Sequence, residues 1–276
     1  MLGKLRTAHV RAVNSVGSGL EPIADESFVR RFRTLHHEIH SWCRNGFKQS
    51  SCAAPLTEVE PRILAQHLFW GRVHDIRLLR LSELIDCVAW AFMGKFIFSV
   101  WMPGCDVDIL KCIKDLEALL EQGDSTLGNE KTAIWRSQTA SLLFQNPRLK
   151  QTLEDVSSLS LELIAVLCSI PQHATLQEQL LPAIGGSLRS VRFLAAEMKC
   201  QRGSFRLDDS VGVGDLFDEE TMQDVRSTEM EEGTQAIVAA VLSKGWIRIP
   251  PKEVDLVEQN ICKTRVVISI LSFVHS

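Results

Sequence analysis

The stretch KEVDLVEQNICKTRVVISILSF, residues 252–273, decides how the whole chain is read. At a helical period it places Val254, Val257, Ile261, Arg265 and Ile268 in register, and Pro250-Pro251 stands just ahead of it, where helices often begin. Read so, the chain ends in a helix. Working back, Thr228–Ser243 and the acid-rich Asp218–Arg226 read as two short helices, with Gly245 as a stop signal. Gly245–Ile249 is the one short piece that reads as extended, and the Gly- and Asp-rich residues 203–217 read as a loop.

The same pattern continues toward the N-terminus. In Asp25–Arg44, Phe28, Phe32, Leu35, Ile39 and Trp42 recur at steps of four and three, an apolar stripe behind an Asp25 N-cap. A long helical stretch, about Thr57–Trp101, breaks near Gly71 or Ser82 and stops at Met102-Pro103-Gly104. Helices follow at about Asp106–Leu120, with Ile109, Cys112, Ile113, Leu116 and Leu120 on one side, then at Asn129–Phe144, Leu149–Cys168 and Thr175–Cys200. Pro182 and Gly185-Gly186 should kink or split the last of these. No fixed-period repeat is present. The expectation is an all-α fold, one multi-helix bundle-type domain of about eight or nine helices over residues 25–276, preceded by a basic, flexible segment at 1–24.

Composition bounds the function. With 276 residues, 45% hydrophobic and 23% charged, the chain can bury a large core. Its net charge of −4 argues against nucleic acid, which demands a basic face. Charge is unevenly spread. Residues 1–50 hold eight Lys/Arg and four Asp/Glu, whereas residues 205–232 hold ten Asp/Glu and only Arg206 and Arg226. Eight cysteines without a CxxC fit a reduced, intracellular and most simply cytoplasmic setting, while the acid-free residues 1–20 also permit a mitochondrial presequence. The apolar run Leu84–Met102 contains Asp86 and Lys95, and Val266–Val274 is too short for a bilayer, so no membrane span is expected.

His36, His40 and Cys43 are the candidate metal ligands, because positions i, i+4 and i+7 share one helix face and imidazole with thiolate suits zinc. The simpler account makes them boundary residues beside the Phe28–Trp42 stripe, and the expectation is no bound metal and no cofactor. Asp106-Val107-Asp108 is better explained as a helix cap than as a metal–nucleotide motif, and Gly212-Val213-Gly214 lacks the remaining features of a phosphate loop. Asp215, Asp218, Glu219, Glu220 and Asp224 lack calcium-loop spacing; they form a candidate contact surface for a basic protein partner. No catalytic residues are identified.

Three segments resemble a group of uncharacterised proteins of filamentous fungi. Phe32–Trp42 is similar to their opening Phe…Leu…Ile…Trp helix. Glu197–Phe205 with Met222-Gln223-Asp224-Val225 is similar to their Met…Gln-Arg…acidic stretch. Ile261–Val267 resembles their closing helix. The resemblance implies an all-helical fold and no particular activity. The function expected is that of a non-enzymatic intracellular interaction or regulatory protein of unknown oligomeric state. The alternatives are an enzyme whose site is assembled from dispersed residues in the helical core, and an accessory protein of a fungal metabolic gene cluster.

Overall fold

The computed structural model describes residues 24–46, 79–121, 128–168, 177–201, 204–230, 235–249 and 258–270. The basic segment at 1–23, most of the expected helix beginning at Thr57, and the Pro250-Pro251 start signal lie outside the described residues.

The fold is mixed α and β, which corrects the all-α, bundle-type expectation. The helices are α1 (Asp25–Gly46), α2 (Leu81–Met93, running into a π-helical turn at Gly94–Phe98), α3 (Val107–Glu121), α4 (Gly128–Gln145), α5 (Pro147–Glu154), α6 (Ser157–Cys168) and α7 (Gln177–Lys199). Among the described residues six strands follow: β1 (Ser204–Leu207), β2 (Met222–Asp224), β3 (Ala236–Ser243), β4 (Trp246–Ile249), β5 (Gln259–Cys262) and β6 (Thr264–Ile270). Each strand stands where a helix or loop was expected, except β4, which lies in the piece expected to be extended.

The reason is burial on both faces. Every residue of β3 except Ile237 is buried, and β6 is buried from Thr264 to Ile268. A strand covered on both sides reads as a continuous apolar run, not as alternation, and periodicity cannot separate it from a buried helix. The β-branched run Val266-Val267-Ile268 suits a pleated surface better than a helix. The closing helix implied by the resemblance is therefore β5 and β6, and Met222–Asp224 is a strand.

The strands form two three-stranded sheets, ordered β1-β4-β5 and β2-β6-β3. Among the described strands only β2 runs parallel to its partner. The sheets are halves of one bent ribbon. β3 pairs antiparallel with β6, the chain turns at Gly245 on one strand and Lys263 on the other, and β4 continues against β5. The corner is tight. Gly245 N–H donates to Thr264 Oγ1 at 2.9 Å, and a Cβ on Gly245 would lie 2.5 Å from the Cys262 carbonyl oxygen. Only glycine lets the two backbones approach so closely.

The helices cover this ribbon. β3 lies against α2, and β5 against α1. The α1 stripe is buried along its length, Phe28, Phe32 and Ile39 completely, and Phe32 stacks on Trp246 of β4 with ring centroids 5.9 Å apart. A second apolar cluster joins Trp101, Met102, Ile113, Phe144 and Leu153 between α3, α4, α5 and α7. On α3 the expected stripe is not buried: Ile113 alone faces inward, and Ile109, Cys112, Leu116 and Leu120 are exposed. Leu149–Cys168, expected as one helix, is interrupted at Asp155-Val156, where Asp155 Oδ1 accepts from the Ser157 N–H at 3.1 Å. Conversely α7 passes through Pro182 and Gly185-Gly186 without a break. Among the described residues no helix is long and apolar enough to cross a membrane.

Candidate functional site

α3, α4 and α7 approach the β1–β4 end of the ribbon around a cavity of about 260 Å³. That is just below the common range of small-molecule pockets, roughly 300–1,000 Å³. Its apolar wall is Phe98, Trp101, Phe205 and Trp246, with Met198 and Ala195 of α7. This wall continues the core: Phe98 lies 4.7 Å from Trp246 between ring centroids, and Phe205 lies 5.2 Å from Phe28. Its polar wall is Lys114 and Glu117 of α3, Arg136 of α4, Lys199 at the end of α7, and Gln201 just after it.

Among the described residues the polar wall holds three cations and one carboxylate. Both oxygens of Glu117 are engaged: Oε1 accepts from Arg136 Nε at 2.5 Å, and Oε2 from Trp101 Nε1 at 3.1 Å. Among the described residues the Lys114 and Lys199 amines have no carboxylate bound to them. Burial lowers the pKa of Lys199, Arg136 lowers it further, and Glu117 opposes both. A partly desolvated amine beside another cation is stabilised by a bound anion or by loss of its proton.

A larger cleft, about 410 Å³, runs between α1, α5 and α7. Its cations are already matched, Arg31 with Glu197 and Arg189 with Glu154, and Glu38 adds a further carboxylate, so among the described residues it has no surplus cation to offer an anion. That difference singles out the first cavity.

His36, His40 and Cys43 share α1 but do not converge on one point. His36 is buried edge-on against Trp90, with ring centroids 4.4 Å apart, and desolvation followed by Arg265 pushes its pKa down to about 3. Cys43 is buried, and its thiol is raised well above its usual value by burial and then by Asp86, so a thiolate ligand is disfavoured. His40 turns to Asp86 of α2, Nδ1 to Oδ2 at 3.0 Å, and Arg265 of β6 meets the same oxygen at 3.0 Å. Burial alone would raise the pKa of Asp86, but Arg265 and His40 together draw it below the usual carboxylate value. Among the described residues no group of three or more His, Cys, Asp or Glu is placed to hold a metal ion.

Of the acidic candidates, Asp215, Asp218, Glu219 and Glu220 lie on the segment linking β1 to β2, and Asp224 ends β2. Asp215, Asp218, Glu219 and Glu220 are exposed, and Asp224 is half-buried. Most have local work. Asp215 Oδ2 accepts from the Gly212 N–H at 2.6 Å, Asp218 from Thr221 Oγ1 at 2.7 Å and the Glu220 N–H at 2.9 Å, and Asp224 from the Thr228 N–H at 2.7 Å. The segment is tied to β3, since Gly214 N–H donates to the Val238 carbonyl at 2.8 Å and Phe217 N–H to the Ala236 carbonyl at 2.9 Å. In place of the helix expected at Asp218–Arg226 there is a turn and then β2. Asp106 does cap α3, accepting from the Asp108 N–H at 2.8 Å.

The cavity residues were not among the sequence candidates. They come from six elements, with no local spacing to join them, and a Lys at the end of a helix is ordinary because it suits the helix dipole. Comparison with known proteins finds no match to a family model, a curated protein or a solved structure. The function must therefore be argued from the cavity itself.

Proposed function

We propose that the protein binds a small organic anion, a carboxylate on a flat apolar body, in the cavity between α3, α4, α7 and the β1–β4 sheet. The observation that carries this reading is a charge imbalance among the described lining residues: the amines of Lys114 and Lys199 have no carboxylate bound to them, and both oxygens of Glu117 are already engaged. Phe98, Trp101, Phe205 and Trp246 supply an aromatic wall for the ligand body. Such a site is assembled from dispersed residues, which is the form an enzyme hidden from motif reading would take, and equally that of a ligand-responsive regulator.

Tryptophan fluorescence tests the proposal, because Trp101 and Trp246 line the cavity. Titration with terephthalate should quench emission saturably, and added salt should weaken the effect. Lys114→Met combined with Lys199→Gln should abolish it. A linear, unsaturable response that both proteins share would overturn the proposal.

A second reading is an interaction protein for a basic-surfaced partner. It draws on the exposed Asp215, Asp218, Glu219 and Glu220 and on the exposed apolar residues Ile109, Leu116, Leu119 and Leu120 of α3. Contiguous exposed apolar surface commonly marks a contact site. Chemical crosslinking in a native extract, followed by peptide mapping, should place crosslinks on α3 or on residues 215–220. Crosslinks confined to other surfaces would exclude this reading.

A further inference from the structure

We infer that Lys199 is a nucleophilic amine that forms a reversible imine with a carbonyl-bearing organic acid held in the cavity. The inference rests on the anion-binding reading above and adds a covalent step to it. Three observations support it. Lys199 lines the cavity together with Arg136 and the aromatic residues. Among the described residues the carboxylate beside it is Glu117, which gives both oxygens to Arg136 and Trp101, so none of them holds the proton of the amine. Burial and the neighbouring guanidinium then both favour the neutral amine, the form that attacks carbonyl carbon.

The neighbours divide the remaining tasks. Lys114 lines the same cavity to receive the acid group of the ligand, and Phe205 and Trp246 supply apolar surface for its body. The chemistry balances without a co-reactant. The Nζ lone pair attacks the carbonyl carbon, a C–N bond forms, and the C=O π pair moves to oxygen. A proton passes from nitrogen to that oxygen to give the carbinolamine. The C–O bond then breaks, oxygen departs as water with a second proton, and the nitrogen pair closes the C=N bond. Hydrolysis reverses each step, and neither partner is oxidised or reduced.

The probe is 4-carboxybenzaldehyde, which joins a carboxylate, a flat ring and an aldehyde. The full chain is incubated with it at neutral pH, cyanoborohydride is added to reduce any imine, and the sites are mapped by peptide mass spectrometry. Terephthalate, which cannot form an imine, is titrated in parallel by tryptophan quenching. Labelling should concentrate on Lys199, severalfold over the exposed Lys111 and Lys150, since a lowered pKa leaves more of the amine neutral at the same pH. Terephthalate should protect Lys199 but not Lys111. Lys199→Arg, which keeps the charge, should retain terephthalate quenching and lose the adduct. If quenching is saturable but Lys199 labels no faster than the exposed lysines, the imine is wrong and anion binding stands. If quenching is also unsaturable, both readings fall. Labelling of Lys199 that terephthalate does not block would likewise overturn the inference, because the amine would then react outside the proposed complex.

Discussion

Asp86 of α2 and Arg265 of β6 form an ion pair, Oδ2 to Nη2 at 3.0 Å, with both side chains almost wholly excluded from solvent. One turn earlier on α2, the buried Glu83 accepts from Arg226 through two bonds, 2.8 Å from Nε and 2.6 Å from Nη2. The helix thus meets the β2-β6-β3 sheet through two carboxylate–guanidinium contacts as well as through apolar packing. Desolvating both charges offsets much of the Coulomb gain, so such a pair adds little net stability while intact. Removing Arg265 leaves the buried Asp86 carboxylate with His40 as its remaining partner, in a medium that solvates charge poorly. Arg265→Ala should therefore cost about 3–5 kcal/mol in a urea denaturation experiment. The double variant Asp86→Leu with Arg265→Met should recover most of that loss. A single variant as stable as the wild type would mean that water reaches Asp86.

The corner of the ribbon gives a sharper steric case. A methyl group on Gly245 would sit 2.5 Å from the Cys262 carbonyl oxygen and 2.9 Å from the Thr264 nitrogen, both backbone atoms that cannot rotate away. Gly245→Ala should lower stability by about 1–3 kcal/mol, the usual range for overpacking. The measurement is thermal unfolding followed by circular dichroism. Gly186 is the control, because a methyl group there would meet nothing within 4 Å. Gly186→Ala lies inside α7 and should be neutral or slightly stabilising.

Trp42 closes the α1 stripe and is 8% exposed. Truncating a large buried aromatic costs about 3–5 kcal/mol. Trp42→Ala should lower the melting temperature clearly, and overlaid melting curves would contradict the packing of α1 on the core.

α1 shows what the sequence made legible. Its apolar positions recur at helical spacing because one face is buried and the other is wet, and Phe28, Phe32, Leu35, Ile39 and Trp42 are all core residues. β3 and β6 lacked that contrast. Covered on both faces, AIVAAVLS and TRVVISI carry no alternation, and the helical register through Ile261, Arg265 and Ile268 is accidental. The better signal was chemical: three consecutive β-branched residues at Val266–Ile268. On α3 the error ran the other way, since Ile109, Leu116 and Leu120 keep helical spacing yet face solvent. The cavity was illegible for a different reason. Glu117, Arg136 and Lys199 are brought together by the packing of three helices, and their separations along the chain carry no trace of it.

Acid should unfold this protein through His36. Its imidazole is buried against Trp90, and desolvation, with Arg265 next, lowers its pKa to about 3 from the usual 6.5. The unfolded chain therefore binds a proton at His36 between about pH 6.5 and 3, while the folded chain does not. Stability contributed by the neutral, buried ring is fully present above pH 6.5 and is lost as pH falls through that window, by up to about 1.4 kcal/mol per pH unit. Asp86 acts in the same direction at lower pH. Its folded pKa lies below the ordinary carboxylate value, so its contribution is present above that value and lost as pH falls through the lowered one. His36→Phe keeps a flat ring against Trp90 and has nothing to protonate. Urea midpoints measured from pH 7.5 to 4.5 should fall for the wild type and stay flatter for His36→Phe. Parallel slopes for the two proteins would show that His36 is protonated in the fold and that some other group governs acid stability.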